Sequence, residues 1–136
     1  MNNIKITNKK AYYNFFLIKK YNAGMVLLSN DIKLIRKNKI NLNQSFCKIY
    51  NNEIFLFNIK INNKNKIKLL LLKKEILKIN QILKFNNKLT IIPTKIFFSN
   101  NGYAKIEIYI AKKKKIYDKK KKNKNKDFNK ILKNYF

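Results

Sequence analysis

From Ala104 to Ile110 apolar and polar positions alternate without a break, which puts Ala104, Ile106, Ile108 and Ile110 on one face of a strand and Lys105 on the outer one. Asn101-Gly102 lies just before it, a dipeptide that tolerates positive φ at both central positions of a tight turn, and Lys95 to Phe98 supplies the partner strand. Pro93 has no N–H to give a ladder, so Leu89 to Phe98 reads as an edge strand or one with a bulge at the proline. A second hairpin is predicted from Phe46 to Tyr50, the turn Asn51-Asn52, and Ile54 to Ile59 with its apolar run Ile54, Phe55, Leu56, Phe57. A β-rich opening from Tyr12 to Leu28 brings the total to about five or six short strands, and Gly24 within it marks a bend or a close approach of backbone.

Two helices interrupt the strands. Ser29 or Asn30 caps the first, Asp31 stands at the positive end of its dipole, and Ile32, Leu34 and Ile35 are available for packing. The second runs from Lys73 to Phe85, where Ile76, Ile79 and Leu83 recur at helical spacing and Asn86-Asn87 closes it. In the last segment Phe128, Ile131, Leu132, Tyr135 and Phe136 form one apolar stripe at helical spacing, with Asp127 placed as its cap. So short an amphipathic helix is marginal alone in water, which predicts a tail that is disordered when free and folds on a surface, with docking back on its own barrel as the equal alternative. The pattern is that of a mainly β protein, a small antiparallel β-barrel with two or three packed helices and a basic C-terminal tail. The barrel is expected to occupy residues 1–111 and the tail residues 112–136, where Lys112 to Lys115 and Lys119 to Lys126 form an Asn-punctuated basic stretch.

Charge decides the class of partner. The 136 residues carry 33 Lys+Arg against 6 Asp+Glu, a formal charge of +27 with no histidine, yet 46% hydrophobic and 13% aromatic content is enough to fill a core, so disorder does not follow. A polyanion, nucleic acid first and an anionic membrane surface second, is the expected partner. Arg36 is the single arginine, and the surplus of Lys, Asn, Ile, Phe and Tyr suggests A+T-biased coding, as in a reduced genome such as an endosymbiont's. Cys47 alone cannot form an internal disulfide, and with no histidine no ordinary zinc site can be assembled, so neither metal nor cofactor is expected. The six acids, Asp31, Glu53, Glu75, Glu107, Asp118 and Asp127, are scattered singly, and there is no phosphate loop or nucleophile elbow. These absences argue against an enzyme. The longest apolar run, Leu69 to Leu72, is far short of a bilayer span and no signal segment opens the chain, which predicts a soluble intracellular protein with no membrane span, a peripheral membrane protein using the tail stripe being a third reading.

What remains is lysine interleaved with aromatics: Lys9, Lys10, Tyr12 and Tyr13 near the start, Lys33 and Arg36 on the first predicted helix, Lys105 on the last strand, and Lys112, Lys114 and Lys115 with Tyr117 in the tail. Ammonium groups neutralise phosphates and aromatic rings stack on exposed bases, so this mixture suits RNA. Read without further context, it also describes a generic basic ribosome-associated or single-strand RNA-binding protein, which would favour no particular RNA.

The order of segments resembles one family over essentially the whole chain. Asn8-Lys9-Lys10-Ala11, Asn22-Ala23-Gly24-Met25-Val26-Leu27 leading to Asp31-Ile32-Lys33 and Arg36, Asn41 to Phe46, Lys68-Leu69-Leu70-Leu71 with Lys74-Glu75, the Pro93 to Lys105 hairpin, and Ala111-Lys112 through Lys114-Lys115-Ile116-Tyr117-Asp118-Lys119 follow the pattern of the SsrA-binding protein (SmpB) family. The resemblance implies a monomeric, non-catalytic OB-like adaptor in the bacterial cytoplasm. It would bind the tRNA-like domain of transfer-messenger RNA and deliver that RNA to stalled ribosomes for trans-translation. It further implies RNA contacts from Asn8, Gly24, Leu70 and Lys105, with Lys33 and Arg36 as weaker candidates. In the tail it implies contacts with the small-subunit decoding centre and mRNA channel from Lys112, Lys114, Lys115, Tyr117, Asp118, Lys119, Lys120 and Phe128, the tail turning helical on the ribosome. The sequence departs from the family pattern at Asn22 and Asp31, where glutamates are usual, at Lys113 in place of glycine, and at Lys120 in place of arginine, which keeps the charge without the planar fork. The stretch from Ile61 to Lys68 is also shorter than the family's loop, and any RNA contact made there is expected to be missing.

Overall fold

In the computed structural model, which describes residues 5–61 and 64–115, the chain runs β1 (Lys5–Thr7), α1 (Lys9–Asn14), β2 (Phe15–Met25), α2 (Ser29–Arg36), β3 (Phe46–Tyr50), β4 (Glu53–Ile61), β5 (Lys64–Leu70), α3 (Lys73–Phe85), β6 (Leu89–Phe98) and β7 (Ala104–Lys113). All strand pairings are antiparallel in the order β1-β6-β3-β4-β5-β2-β7, and β6 also pairs with β7. That last pairing closes six strands into a ring with β1 appended outside it, the small antiparallel barrel expected from the strand pattern and consistent with the OB-like fold that the family resemblance implies.

Ile106, Ile108 and Ile110 of β7 point into the ring with no exposure, as their period of two requires. They meet Ala23, Ile54, Leu56, Leu69, Ile91 and Ile96 from the facing strands in one core. Ile76, Ile79 and Ile82 of α3 and Ile35 of α2 complete the same core, so these two helices are held by burial of one face rather than by intrinsic helix propensity. Cys47 is inside it as a small apolar residue, and burial pushes its thiol up, away from the reactive thiolate.

The Asn51-Asn52 turn forms as expected, with φ of 51° and 62° and Tyr50 paired to Glu53, and α3 keeps the predicted bounds. The Asn101-Gly102 turn differs. Gly102, at φ 82°, has the positive angle without Asn101; its N–H donates to the Ser99 carbonyl and the Ser99 N–H to the Tyr103 carbonyl, a turn with a glycine bulge in place of a two-residue one. β6 is not an edge strand: it pairs on both sides, and the chain accommodates Pro93 by a register shift between Pro93 and Lys95.

Several expectations are corrected. Tyr12 and Tyr13 lie on α1, a six-residue helix pinned by buried Ala11 against Ile92 and Ala111, and β2 begins only at Phe15. Neither Ser29 nor Asn30 caps α2; the Leu28 N–H donates to the buried Asp31 carboxylate at 2.9 Å, and Glu75 receives the Leu72 N–H in the same way at α3. The Ile61 to Lys68 stretch is mostly strand, with Ile61 of β4 opposite Lys64 of β5 after a register shift between Phe57 and Ile61. β7 continues two residues past Ala111, with Lys112 opposite Phe16 and Leu89, and the Lys114 N–H donates to the Asn14 carbonyl. Among the described residues no helix is long and apolar enough to cross a membrane, and no group of three His, Cys, Asp or Glu could hold a metal.

Candidate nucleic-acid interface

Strand register assembles residues that are far apart in the chain. Leu70 on β5 is opposite Gly24 on β2, Gly24 is opposite Lys105 on β7, Lys105 is opposite Phe97 on β6, and Phe97 is opposite Lys5 on β1. Leu70, Gly24, Lys105, Phe97 and Lys5 therefore form one transverse row across five strands, spanning about 19 Å at an inter-strand spacing of about 4.8 Å. Gly24 is there for space rather than for its φ. A Cβ at Gly24 would stand 3.3 Å from the Leu70 Cβ, so the bare backbone lets Leu70 lean across the strand while staying half exposed.

Two residues along β7, roughly 7 Å from the row, Glu107 is buried on the outer wall. The Thr94 hydroxyl donates to its carboxylate at 2.8 Å, and the Lys95 and Lys20 ammonium groups stand 3.8 and 3.9 Å away. Thr94 is the extra residue of the Pro93–Lys95 bulge, so the irregularity that accommodates the proline also aims a hydroxyl at the acid. Replacing Thr94 with the isosteric valine leaves that carboxylate short of its buried donor, and the free energy of unfolding measured in urea is expected to fall by about 1–3 kcal/mol. Next along the strand, burial raises the Tyr109 hydroxyl above its ordinary pKa, with lesser contributions from Glu107 and Tyr12. Beyond it α1 covers the wall at Ala111 and Ile92. The open end of this wall is therefore the end that carries the row.

Of the candidates from sequence, Gly24, Leu70 and Lys105 come together in the row. Arg36 is on α2, its guanidinium 4.6 Å above the ring of Phe98, which packs against the inner core, whereas Phe97 of the row faces outward. Lys33 is exposed three residues earlier on the same helix. Asn8 is not on the surface. It is 3% exposed, and its amide donates to the carbonyls of Leu42 at 3.2 Å and Pro93 at 3.0 Å, while its own N–H donates to Thr94 O at 2.7 Å. Asn8 ties the start of α1 to the bulge and positions the wall. Lys112 is within β7, the Lys114 ammonium is 5.1 Å above the Phe16 ring, and Lys115 is exposed; Tyr117, Asp118, Lys119, Lys120 and Phe128 lie outside the described residues. Sequence reasoning missed Lys5, Phe97, Lys20, Lys95 and the buried acid Glu107. Counting back from Lys105 through the actual turn would have found Phe97; the others depend on pairings that no local signal announces.

A closed antiparallel ring with a cationic and apolar row on its open wall is the architecture of the small barrels that bind oligonucleotides. Residues 5–136 match the family model described as SmpB protein. The chain is 40% identical to the SsrA-binding protein of Thermosipho melanesiensis over 95% of both chains, and 43% identical to that of Mycoplasma mycoides subsp. mycoides SC over 96% of this chain and 95% of the relative. Among solved structures it is similar to a chain from the work titled "tmRNA-SmpB: a journey to the center of the bacterial ribosome", with a TM-score of 0.68 and 28% identity, covering 93% of this chain and 94% of that one. The chain belongs to the SmpB family of SsrA-binding proteins.

Proposed function

We propose that this protein is a non-catalytic RNA-binding adaptor that binds the tRNA-like domain of transfer-messenger RNA and delivers it to stalled ribosomes for trans-translation. The observation that carries this reading is the family match over residues 5–136, joined by likeness to a chain from a tmRNA-SmpB ribosome study. Within it the row on the open wall meets the RNA. Lys105 and Lys5 neutralise phosphates, Leu70 and Phe97 cover sugar or base surface, and Gly24 makes the room in which Leu70 lies across the row. Arg36 and Lys33 extend the positive field from α2, and Asn8 acts from inside by fixing the wall. Residues 112–136 serve the ribosome, with Lys112, Lys114 and Lys115 at the root of the tail and Tyr117, Asp118, Lys119, Lys120 and Phe128 further along it, toward the decoding centre and the mRNA channel. The protein acts as a monomer and without a cofactor in the bacterial cytoplasm, where ribosomes stall. A reduced, A+T-rich genome such as an endosymbiont's fits its lysine-heavy composition.

A competition binding measurement at near-physiological salt tests this reading, setting transfer-messenger RNA from the same genome against bulk tRNA and unstructured RNA. A clear preference for transfer-messenger RNA is expected. Equal, steeply salt-dependent binding to all three would replace the adaptor with a generic basic RNA-binding protein.

A further inference from the structure

The outer face of β3, β4 and β5 carries a second set of residues with RNA chemistry, on the other side of the ring. In the closed order β6-β3-β4-β5-β2-β7, strand β4 is three places from β7 in either direction, so the centre of this face is opposite the centre of the row, with β5 carrying both Lys66 of this face and Leu70 at the row's end. Register places Phe46 opposite Phe57, Lys48 opposite Phe55, and Phe57 opposite Lys66, all on outward positions because Cys47, Leu56 and Ile67 between them point into the core. The result is a contiguous aromatic cluster. Phe46 and Phe57 stack at 5.7 Å, Tyr50 meets Phe57 edge-on at 5.9 Å, and Phe55 is 6.3 Å from Phe57. Tyr50 is 53% exposed, a large aromatic surface for a strand to offer water.

Two cations show which way the rings face. The Lys66 ammonium stands 4.8 Å above Phe55 and the Lys48 ammonium 5.5 Å above Phe46, both lysines being exposed. A strongly hydrated ammonium stays at the water side of a surface, so the covered faces of Phe55 and Phe46 are turned to solvent, while another part of Phe46 packs against the Ala11, Ile92 and Ala111 cluster under α1. A flat base can take the place of the ammonium over a ring, and the displaced cation then lies beside the phosphate of the same nucleotide. A protein partner would meet a lysine-flanked surface on a chain of formal charge +27, whereas a nucleic acid is attracted by it.

We propose that the outer face of β3, β4 and β5 is a second RNA site, a stacking platform for a few unpaired nucleotides, used at the same time as the row on the opposite wall. Tyr50 and Phe55 supply the stacking surface, and Lys48 and Lys66 the phosphate contacts. The platform takes unpaired RNA because bases inside a duplex do not present their faces to it. This inference stands apart from the identity of the RNA bound at the row, since it concerns a different wall and a different RNA state.

The test uses the full chain and a fluorescently labelled eight-uridine RNA, its abasic counterpart of equal length, and a folded tRNA-like RNA, followed by anisotropy at near-physiological salt. The uridine strand is expected to bind at least tenfold more tightly than the abasic one. Replacing both Tyr50 and Phe55 with alanine should lower its affinity by about tenfold or more and leave that of the folded RNA within twofold. A Tyr50→Leu, Phe55→Leu pair, which retains apolar cover but no ring, should lose the same affinity, and circular dichroism checks that it folds. Equal binding of abasic and base-bearing strands would overturn the proposal by reducing the face to charge alone. So would full affinity in the leucine pair, or a parallel loss for the folded RNA. Failure of the preference for transfer-messenger RNA, by contrast, would strike the adaptor reading and leave this one standing.

Discussion

Replacing Lys105 with glutamate is expected to weaken binding to the tRNA-like domain by about tenfold or more at near-physiological salt, with no loss of fold. The reason for singling out one of 33 basic residues is its place in the row. Lys105 is flanked across the ladders by Gly24 and Phe97, with Leu70 beyond Gly24, so its ammonium rises from a surface that RNA can approach closely. The substitution removes one phosphate contact and puts a carboxylate against the RNA backbone, two effects of the same sign. Lys105→Gln isolates the first, and its plot of log K against log salt should be shallower by about one. Lys84→Glu makes the same change of charge at an exposed position in the last turn of α3 and should alter affinity little. If affinity were spread evenly over the basic surface, the two glutamate variants would be indistinguishable, and the row would not be the interface. Leu70→Ala should fall between them, since it keeps the charge and removes only apolar cover.

The sequence makes the individual elements more legible than their arrangement. The hairpin around Asn51-Asn52, the bounds of α3 and the inward face of β7 were readable because each depends on residues within a few positions of one another: a turn that needs positive φ, a helical period, an alternation. α1 was not, because Tyr12 and Tyr13 favour strands, and the helix exists through the burial of Ala11 against Ile92 and Ala111, some eighty and a hundred residues away. The row is harder still. Family resemblance nominates three of its members, Gly24, Leu70 and Lys105, and neither Lys5 nor Phe97; what aligns all five is register, set by bulges between Leu17 and Lys19 and between Pro93 and Lys95. A slip of one residue at either bulge would turn the following side chains to the opposite face, and Lys105 would lose Gly24 or Phe97 as its neighbour. Pro93 announced one of these bulges; nothing local in Phe15 to Met25 announced the other. Glu107 shows the same limit. Alternation placed it outward, which is right, but its burial comes from Thr94, Lys95 and Lys20, three residues brought in from two other strands.

Deleting residues 118–136 is expected to leave binding to transfer-messenger RNA within a fewfold of the full chain while abolishing rescue of stalled ribosomes. The division follows from where the last described strand ends. β7 carries the backbone to Lys113, the Lys114 N–H is held by the Asn14 carbonyl, and the Lys114 side chain lies over Phe16, so a cut after Tyr117 leaves every strand pairing and the whole row intact. The deletion removes eight lysines and two aspartates, and the remaining chain keeps most of its +27 charge, so the field that draws RNA to the wall is reduced rather than lost. What disappears is the stripe of Phe128, Ile131, Leu132, Tyr135 and Phe136 together with the Asp118-Lys119-Lys120 motif, the segment proposed to engage the ribosome. A milder variant separates chemistry from length. Phe128→Ala with Ile131→Ala keeps every charge and breaks the apolar stripe, and it should cut rescue strongly if the tail must fold as an amphipathic helix, but only slightly if its lysines act as an extended polycation. Binding by the truncated chain and peptide tagging in a reconstituted translation system are the two readouts. Loss of RNA affinity with rescue intact would reverse the assignment of barrel and tail.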